Sequence, residues 1–185
     1  MTLKTLNNQI IEKYAIENNN SIGEINIAMS QNGIFDNINE YELMRHYDDA
    51  VLDTIFILNQ NPFNIEYIQE LLKSCAIDEE VGRVKDAIKT HLNNTALEVF
   101  ILAGLNHKWT RVKSCMYELL SETKIHNRDI LLYIFLLNES NSFATRIGLL
   151  SLQKIDLVLA KRVATTLINH EDQYLRSVCI ITMEM

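Results

Sequence analysis

The sequence predicts an all-α fold, an α-solenoid of antiparallel helix pairs with about 9–11 helices. Three observations carry this reading. A single proline in 185 residues leaves a turn-rich β architecture without its usual punctuation. Apolar residues recur at three- and four-residue spacing along most of the chain. In the C-terminal half, helix-sized segments recur at intervals of 28 to 35 residues. A hydrophobic content of 48% is too high for a disordered chain.

The elements follow in order. Leu3, Leu6, Ile10 and Ile11 stand at helical spacing and mark a first helix. Ser21-Ile22-Gly23-Glu24 reads as a capping box, in which the serine accepts from a backbone N–H and the glutamate reaches back. It opens a short helix that Asn32-Gly33 closes near Ser30. From Asn39 to Leu58 the positions Leu43, Tyr47, Ala50, Val51, Ile55 and Leu58 keep a 3.6-residue period, as one long helix or two. Asn61-Pro62 ends that run, because proline disfavours helix at the residue before it. Ile65, Ile68, Leu71 and Leu72 mark the next helix, with Asn64 as its cap.

Beyond residue 80 the chain repeats itself. Arg83, Arg111, Arg146 and Arg176 align at spacings of 28, 35 and 30 residues. Val81, Trp109, Ala144 and Tyr174 stand two residues before them, and Ala87, Cys115, Leu150 and Ile180 four after. With Val84, Val112 and Ile147 these positions predict an apolar stripe on one helical face. Leu105-Asn106-His107, Leu137-Asn138-Glu139 and Ile168-Asn169-His170 end the preceding helices, and Asn is a common helix stop. The repeating unit is an apolar helix, seen in Ala96–Leu105, Ile130–Leu137 and Leu157–Ile168, a short turn, and an arginine-bearing helix. The second helix is seen in Trp109–Leu120, Phe143–Gln153 and Tyr174–Met183. Neither helix buries its apolar face alone, so neighbours must stack.

This pattern resembles HEAT-like helical repeats over roughly residues 78–185, and weakly over Tyr41–Ala76. Asn106, Asn138 and Asn169 stand near the turn where that family usually has aspartate, and its frequent helix proline is absent. The resemblance implies a scaffold rather than a chemistry. Residues 1–185 are read as one helical-repeat domain, with 1–40 as N-terminal helices or a cap and 41–185 as helix-pair repeats.

No catalytic motif stands out. Cys75, Cys115 and Cys179 are neither paired nor closely spaced, so a disulfide scaffold or a zinc site is not indicated. Equivalent turn positions put His107 and His170 two repeats apart, too far to share a metal if each repeat advances about 10 Å. Gly23, Gly33, Gly82, Gly104 and Gly148 are scattered and build no phosphate-cradling loop. No cofactor and no enzymatic activity are expected. Trp109, the only tryptophan, is either an aromatic anchor for a ligand or a core residue of its helix. The N-terminus lacks the apolar run of a signal peptide, and no apolar stretch is long enough for a bilayer. Cytoplasmic localisation is expected, and the abundance of Asn and Ile is a compositional hint of a bacterial source.

Charge gives the functional reading. The net charge is −7, with 14 acids and four bases in residues 1–80 against ten acids and 13 bases in residues 81–185. A field of one sign steers partners of the other. Asp36, Glu40, Glu42, Asp48, Asp49 and Asp53 form the densest acidic cluster and are the candidate partner-binding face. The expectation is a non-enzymatic protein-binding module of the bacterial immunity or antitoxin type. Its partner would have a basic surface, such as a toxin nuclease. An alternative is a nucleic-acid binder or a relative of the HEAT-like alkylpurine-DNA glycosylases. That role would use a basic ladder of Arg83, Lys85, Lys108, Arg111, Lys113, Arg146 and Arg176. The acidic first part opposes it, so nucleic acid is disfavoured. A third reading is a scaffold subunit, with self-association through the apolar C-terminal helix. No membrane partner is expected.

Overall fold

The computed structural model describes residues 1–17, 41–77 and 82–185, with the side chains of 14–17 and 41–45 excepted. The capping box at Ser21 and the helix expected after it lie outside the described residues, as does Val81. Ten α-helices are described: α1 (Leu3–Glu17), α2 (Tyr41–Gln60), α3 (Ile65–Ile77), α4 (Arg83–His91), α5 (Asn94–Leu105), α6 (Thr110–Glu122), α7 (Arg128–Leu137), α8 (Ser142–Ile155), α9 (Leu157–Leu167) and α10 (Gln173–Glu184). No strand occurs among the described residues. The chain divides into two compact units, Met1–Cys115 and Met116–Met185, with the boundary inside α6.

Local chemistry sets the helix ends. The run from residue 41 is a single helix, and its Tyr47, Ala50, Val51, Ile55 and Leu58 are all buried. It stops at Asn61-Pro62, and Asn64 then caps α3 by accepting from the Tyr67 N–H at 3.5 Å. Asn93, Asn141, Asp156 and Asp172 cap α5, α8, α9 and α10, each side chain accepting from the N–H three residues on at 2.8 to 3.0 Å. Such caps stabilise by about 1 kcal/mol each. The asparagine stops do not use a left-handed turn. Asn106 and Asn138 have φ of −91° and −111°. Each instead donates its amide to the carbonyl four residues back, Leu102 and Ile134, at 2.9 Å. The side chain thereby satisfies a carbonyl that the ending helix leaves open. The third helix of this series ends at Leu167, with Ile168 as its C-cap immediately before Asn169.

In the first unit, cross-helix bonds fix which helices run alongside one another. Lys4 pairs with Glu66 at 3.0 Å and Asn7 bonds Glu70, so α1 and α3 run in the same direction. Asp48 pairs with Arg83 at 3.3 Å and Asn59 bonds the His91 carbonyl at 2.8 Å, so α2 and α4 do likewise. The core holds Leu6, Ile10, Tyr47, Ile55, Leu71, Leu72, Ile88 and Phe100. Within it lie buried polar residues, among them Asn7, fully buried. Its amide donates to the Glu70 carbonyl at 3.0 Å and the Glu70 Oε2 at 3.1 Å. Its oxygen accepts from Tyr47 Oη at 3.1 Å and Ser74 Oγ at 3.2 Å. This hub joins α1, α2 and α3.

In the second unit, α8 and α10 run in the same direction. Ser142 bonds Asp172 at 2.8 Å near their starts, and Gln153 bonds Thr182 at 2.5 Å near their ends. The offsets across these contacts, 30 and 29 residues, match the sequence repeat. Parallel next-but-one helices within each unit are compatible with a helical-repeat fold. The expected stripe is only partly the buried one. Ala144 is buried, yet Tyr174, Leu150 and Ile180 are exposed, and α10 buries Leu175, Cys179 and Thr182 instead. Those three stand four and three residues apart, a single narrow row, so this helix seats a thinner arc than the sequence stripe covers.

Candidate functional site

Of the six acids proposed as a docking face, Asp36 and Glu40 lie outside the described residues, as does the side chain of Glu42. Asp48, Asp49 and Asp53 are on α2. Asp49 and Asp53 are exposed and one helical turn apart. Between and beyond them the same exposed face carries Leu52 and Phe56, at 42% and 65% exposure. Sequence reasoning missed these two, which kept the helical period but stood outside its buried row. Asp48 is half-buried and faces Arg83 of α4, so one residue of the acidic set pairs with one of the basic set.

A cleft of about 240 Å³ opens between α2 and α4. Asp48, Val51, Leu52, Arg83, Val84, Ala87 and His91 line it. Asn59 ties its far end to the α4–α5 turn, donating to the His91 carbonyl at 2.8 Å and accepting from the Asn93 N–H at 2.7 Å. The Asn93 amide returns the bond to the Asn59 carbonyl at 3.0 Å.

The basic ladder divides between the two units, with Arg83, Lys85, Lys108, Arg111 and Lys113 in the first and Arg146 and Arg176 in the second. The unit boundaries also redistribute charge. The first unit carries 16 acids and ten bases, the second eight acids and seven bases. The basic surplus read after residue 80 therefore lies largely on the acidic unit. Several arginines have structural partners. Arg176 donates to the His170 and Glu171 carbonyls at 2.6 and 2.8 Å. Arg146 lies 5.2 Å from the Phe143 ring centroid and 5.7 Å from that of Tyr174, two cation–π contacts. Burial pulls the Arg111 guanidinium below its ordinary value.

Three turns share one device. His107 Nδ1 accepts from the Trp109 N–H at 3.1 Å, Glu139 Oε1 from the Asn141 N–H at 2.9 Å, and His170 Nδ1 from the Asp172 N–H at 3.0 Å. Each acceptor stands just after the helix-ending asparagine position and satisfies the N–H two residues on, immediately before the next helix. The two histidines, at the turn positions the repeat assigns them, are half-buried acceptors. Trp109 is a core residue at 7% exposure, with its ring edge-on to His107 at 5.0 Å. Burial, then Lys108 and Lys113, lowers the His107 pKa to about 4. The Leu175 N–H, then the Ser142 hydroxyl, hold the Asp172 carboxyl below its usual range.

These observations fix the sign of a pH effect. An unfolded histidine binds its proton near pH 6.5 and the folded one near 4, so stability falls as pH drops through that window. His107→Gln keeps an acceptor and does not titrate. It is expected to retain most of the neutral-pH stability and to flatten the pH 6.5-to-4 loss seen by Trp109 fluorescence. His107→Ala is expected to cost about 1 kcal/mol at neutral pH.

Among the described residues, no cluster of three or more His, Cys, Asp or Glu could hold a metal ion. No described helix is long and apolar enough to cross a membrane. All three cysteines are buried thiols. The C-terminal helix, expected to self-associate, exposes Tyr174, Ile180 and Ile181. Comparisons with protein-family models, curated proteins and solved structures found no match.

Proposed function

We propose that this chain is a HEAT-like helical-repeat protein without catalytic activity that binds a protein partner carrying a basic surface. The reading is of the bacterial immunity or antitoxin type, in which the partner is a basic toxin domain. The single observation that carries it is the exposed face of α2, where Asp49 and Asp53 alternate with Leu52 and Phe56. A surface that only aids solubility needs the carboxylates and not the aromatic ring. A docking face uses both: the ring as a buried anchor and the charges to steer encounter. The excess of acids on the first unit supports a basic partner and opposes a phosphate backbone.

The test begins with affinity capture from the source cells and identification of the bound protein. Its affinity is then measured for the wild type and for the double variant Asp49→Lys, Asp53→Lys. At low salt the variant is expected to bind at least tenfold more weakly, about 1.4 kcal/mol, with a smaller difference at high salt. Equal affinity at low salt removes the acidic-face reading.

A further inference from the structure

We infer that the α2–α4 cleft is a socket for one apolar side chain of the partner, flanked by a lysine or arginine that engages the aspartates of α2. This rests on the reading of α2 as a docking face and deepens it.

The cleft has the right size and chemistry for that occupant. At about 240 Å³ it falls below the roughly 300 Å³ at which small-molecule sites begin, and it suits one side chain. Its accessible apolar lining is Leu52 of α2 and Ala87 of α4, with the buried Val51 and Val84 behind them and Asp48, Arg83 and His91 completing the lining. Ala87 is the smallest of these, and a larger side chain there would fill the space.

The furrow is bridged at both ends. The Asp48–Arg83 pair bridges one end at 3.3 Å, and the Asn59–His91–Asn93 bonds bridge the other at 2.7 to 3.0 Å. A socket fixed in this way loses little freedom when filled, which favours binding.

Charge complementarity names the neighbour of the anchor. Asp48 lines the cleft and is paired with Arg83, which with His91 stands on the α4 side, while Asp49 and Asp53 are exposed on α2 outside the lining. A cation beside the anchor, on the exposed side of Leu52, would be drawn to Asp49 and Asp53, while an acid there would meet two like charges. The occupant is therefore an apolar residue, aliphatic or aromatic, adjacent to a lysine or arginine on one protein segment.

The test uses a random peptide library displayed on phage and selected against the intact chain. Affinities of the resulting synthetic peptide are then read by fluorescence anisotropy. The expected consensus places Lys or Arg next to Leu, Ile, Phe or Trp. Ala87→Trp, which fills the socket at a half-exposed position, is expected to weaken the peptide at least tenfold with an unchanged melting curve. If the variant unfolds, a photoreactive group in place of the peptide's apolar residue is read instead, with cross-linking to Leu52 or Ala87 expected. A consensus lacking the basic–apolar pair overturns the inference, as does cross-linking elsewhere. If Asp49→Lys, Asp53→Lys weakens the peptide and a folded Ala87→Trp does not, the socket fails and the acidic face stands. If neither weakens it, both fall.

Discussion

Replacing Asn7 by alanine is expected to lower the stability of the first unit by about 3–4 kcal/mol. Asn7 is fully buried and uses its whole hydrogen-bonding capacity, two N–H donors and two lone pairs, on four partners. Alanine would leave Glu70 Oε2 without its 3.1 Å donor in a site where the Glu70 residue is only 6% exposed. The other carboxylate oxygen keeps Lys73 at 2.7 Å, and a new void opens beside the ion pair. A hydrogen bond to a charged group contributes roughly 1.5–3 kcal/mol, and loss of side-chain volume in the core adds to that. Tyr47 and Ser74 lose the same acceptor, although Ser74 keeps the Glu70 carbonyl at 3.0 Å.

The measurement is urea unfolding followed by the fluorescence of Trp109, which belongs to this unit and is buried in it. A loss below 1 kcal/mol would contradict the hub. In a Glu70→Gln background the same substitution is expected to cost about 1 kcal/mol less, because the stranded group is then neutral. Asn7→Asp offers a sharper comparison. It preserves shape but replaces both donors with a carboxylate oxygen facing Glu70, and it should be at least as damaging as alanine at neutral pH.

The helices were legible in the sequence because their signals are local. The apolar period located α2 and α3, Pro62 separated them, and the repeated Leu-Asn or Ile-Asn ends located α5, α7 and α9 to within a residue or two at their C-termini. What was not legible is held by residues far apart in the chain. Asn7 stands in a polar stretch, and nothing near it announces partners at positions 47, 70 and 74. The Asp48–Arg83 pair joins residues that composition alone placed in opposite charge classes. The turn acceptors fall between these cases. His107, Glu139 and His170 align in the repeat, but their shared role appears only when imidazole Nδ1 and a carboxylate oxygen are compared as acceptors. The candidate face was half legible: Asp49 and Asp53 came from charge, and Phe56 needed the fold to show which side of α2 is open.

Gly148→Val is expected to destabilise the second unit by about 3 kcal/mol, through crowding rather than backbone strain. Gly148 is buried in α8, and a Cβ there would meet Leu136 Cδ2 at 2.4 Å and Tyr117 Cδ2 at 3.0 Å. One of these neighbours could yield if it were free to turn. Leu136 is 2% exposed and its Cγ also lies within 3.2 Å, so rotating its tip does not clear the space. Tyr117 is 1% exposed and is anchored through its hydroxyl to Glu139 Oε2 at 3.1 Å, so its ring is fixed. Burial, followed by the Glu139 carboxylate, raises the phenol pKa, which keeps that hydroxyl a donor. Two opposing effects meet in Gly148→Ala, where alanine gains about 1 kcal/mol of helix propensity against the clash, so its net cost should be near 1 kcal/mol. Valine adds two methyl groups to a full space and gains less propensity, which is why it gives the clearer result. Amide exchange of α7 and α8 reads the loss directly. Combined with Leu136→Ala, which opens room at the 2.4 Å contact, Gly148→Ala is expected to cost at least 1 kcal/mol less than the two single changes added together. Strict additivity would show that the glycine is required by something other than the side chains of Leu136 and Tyr117.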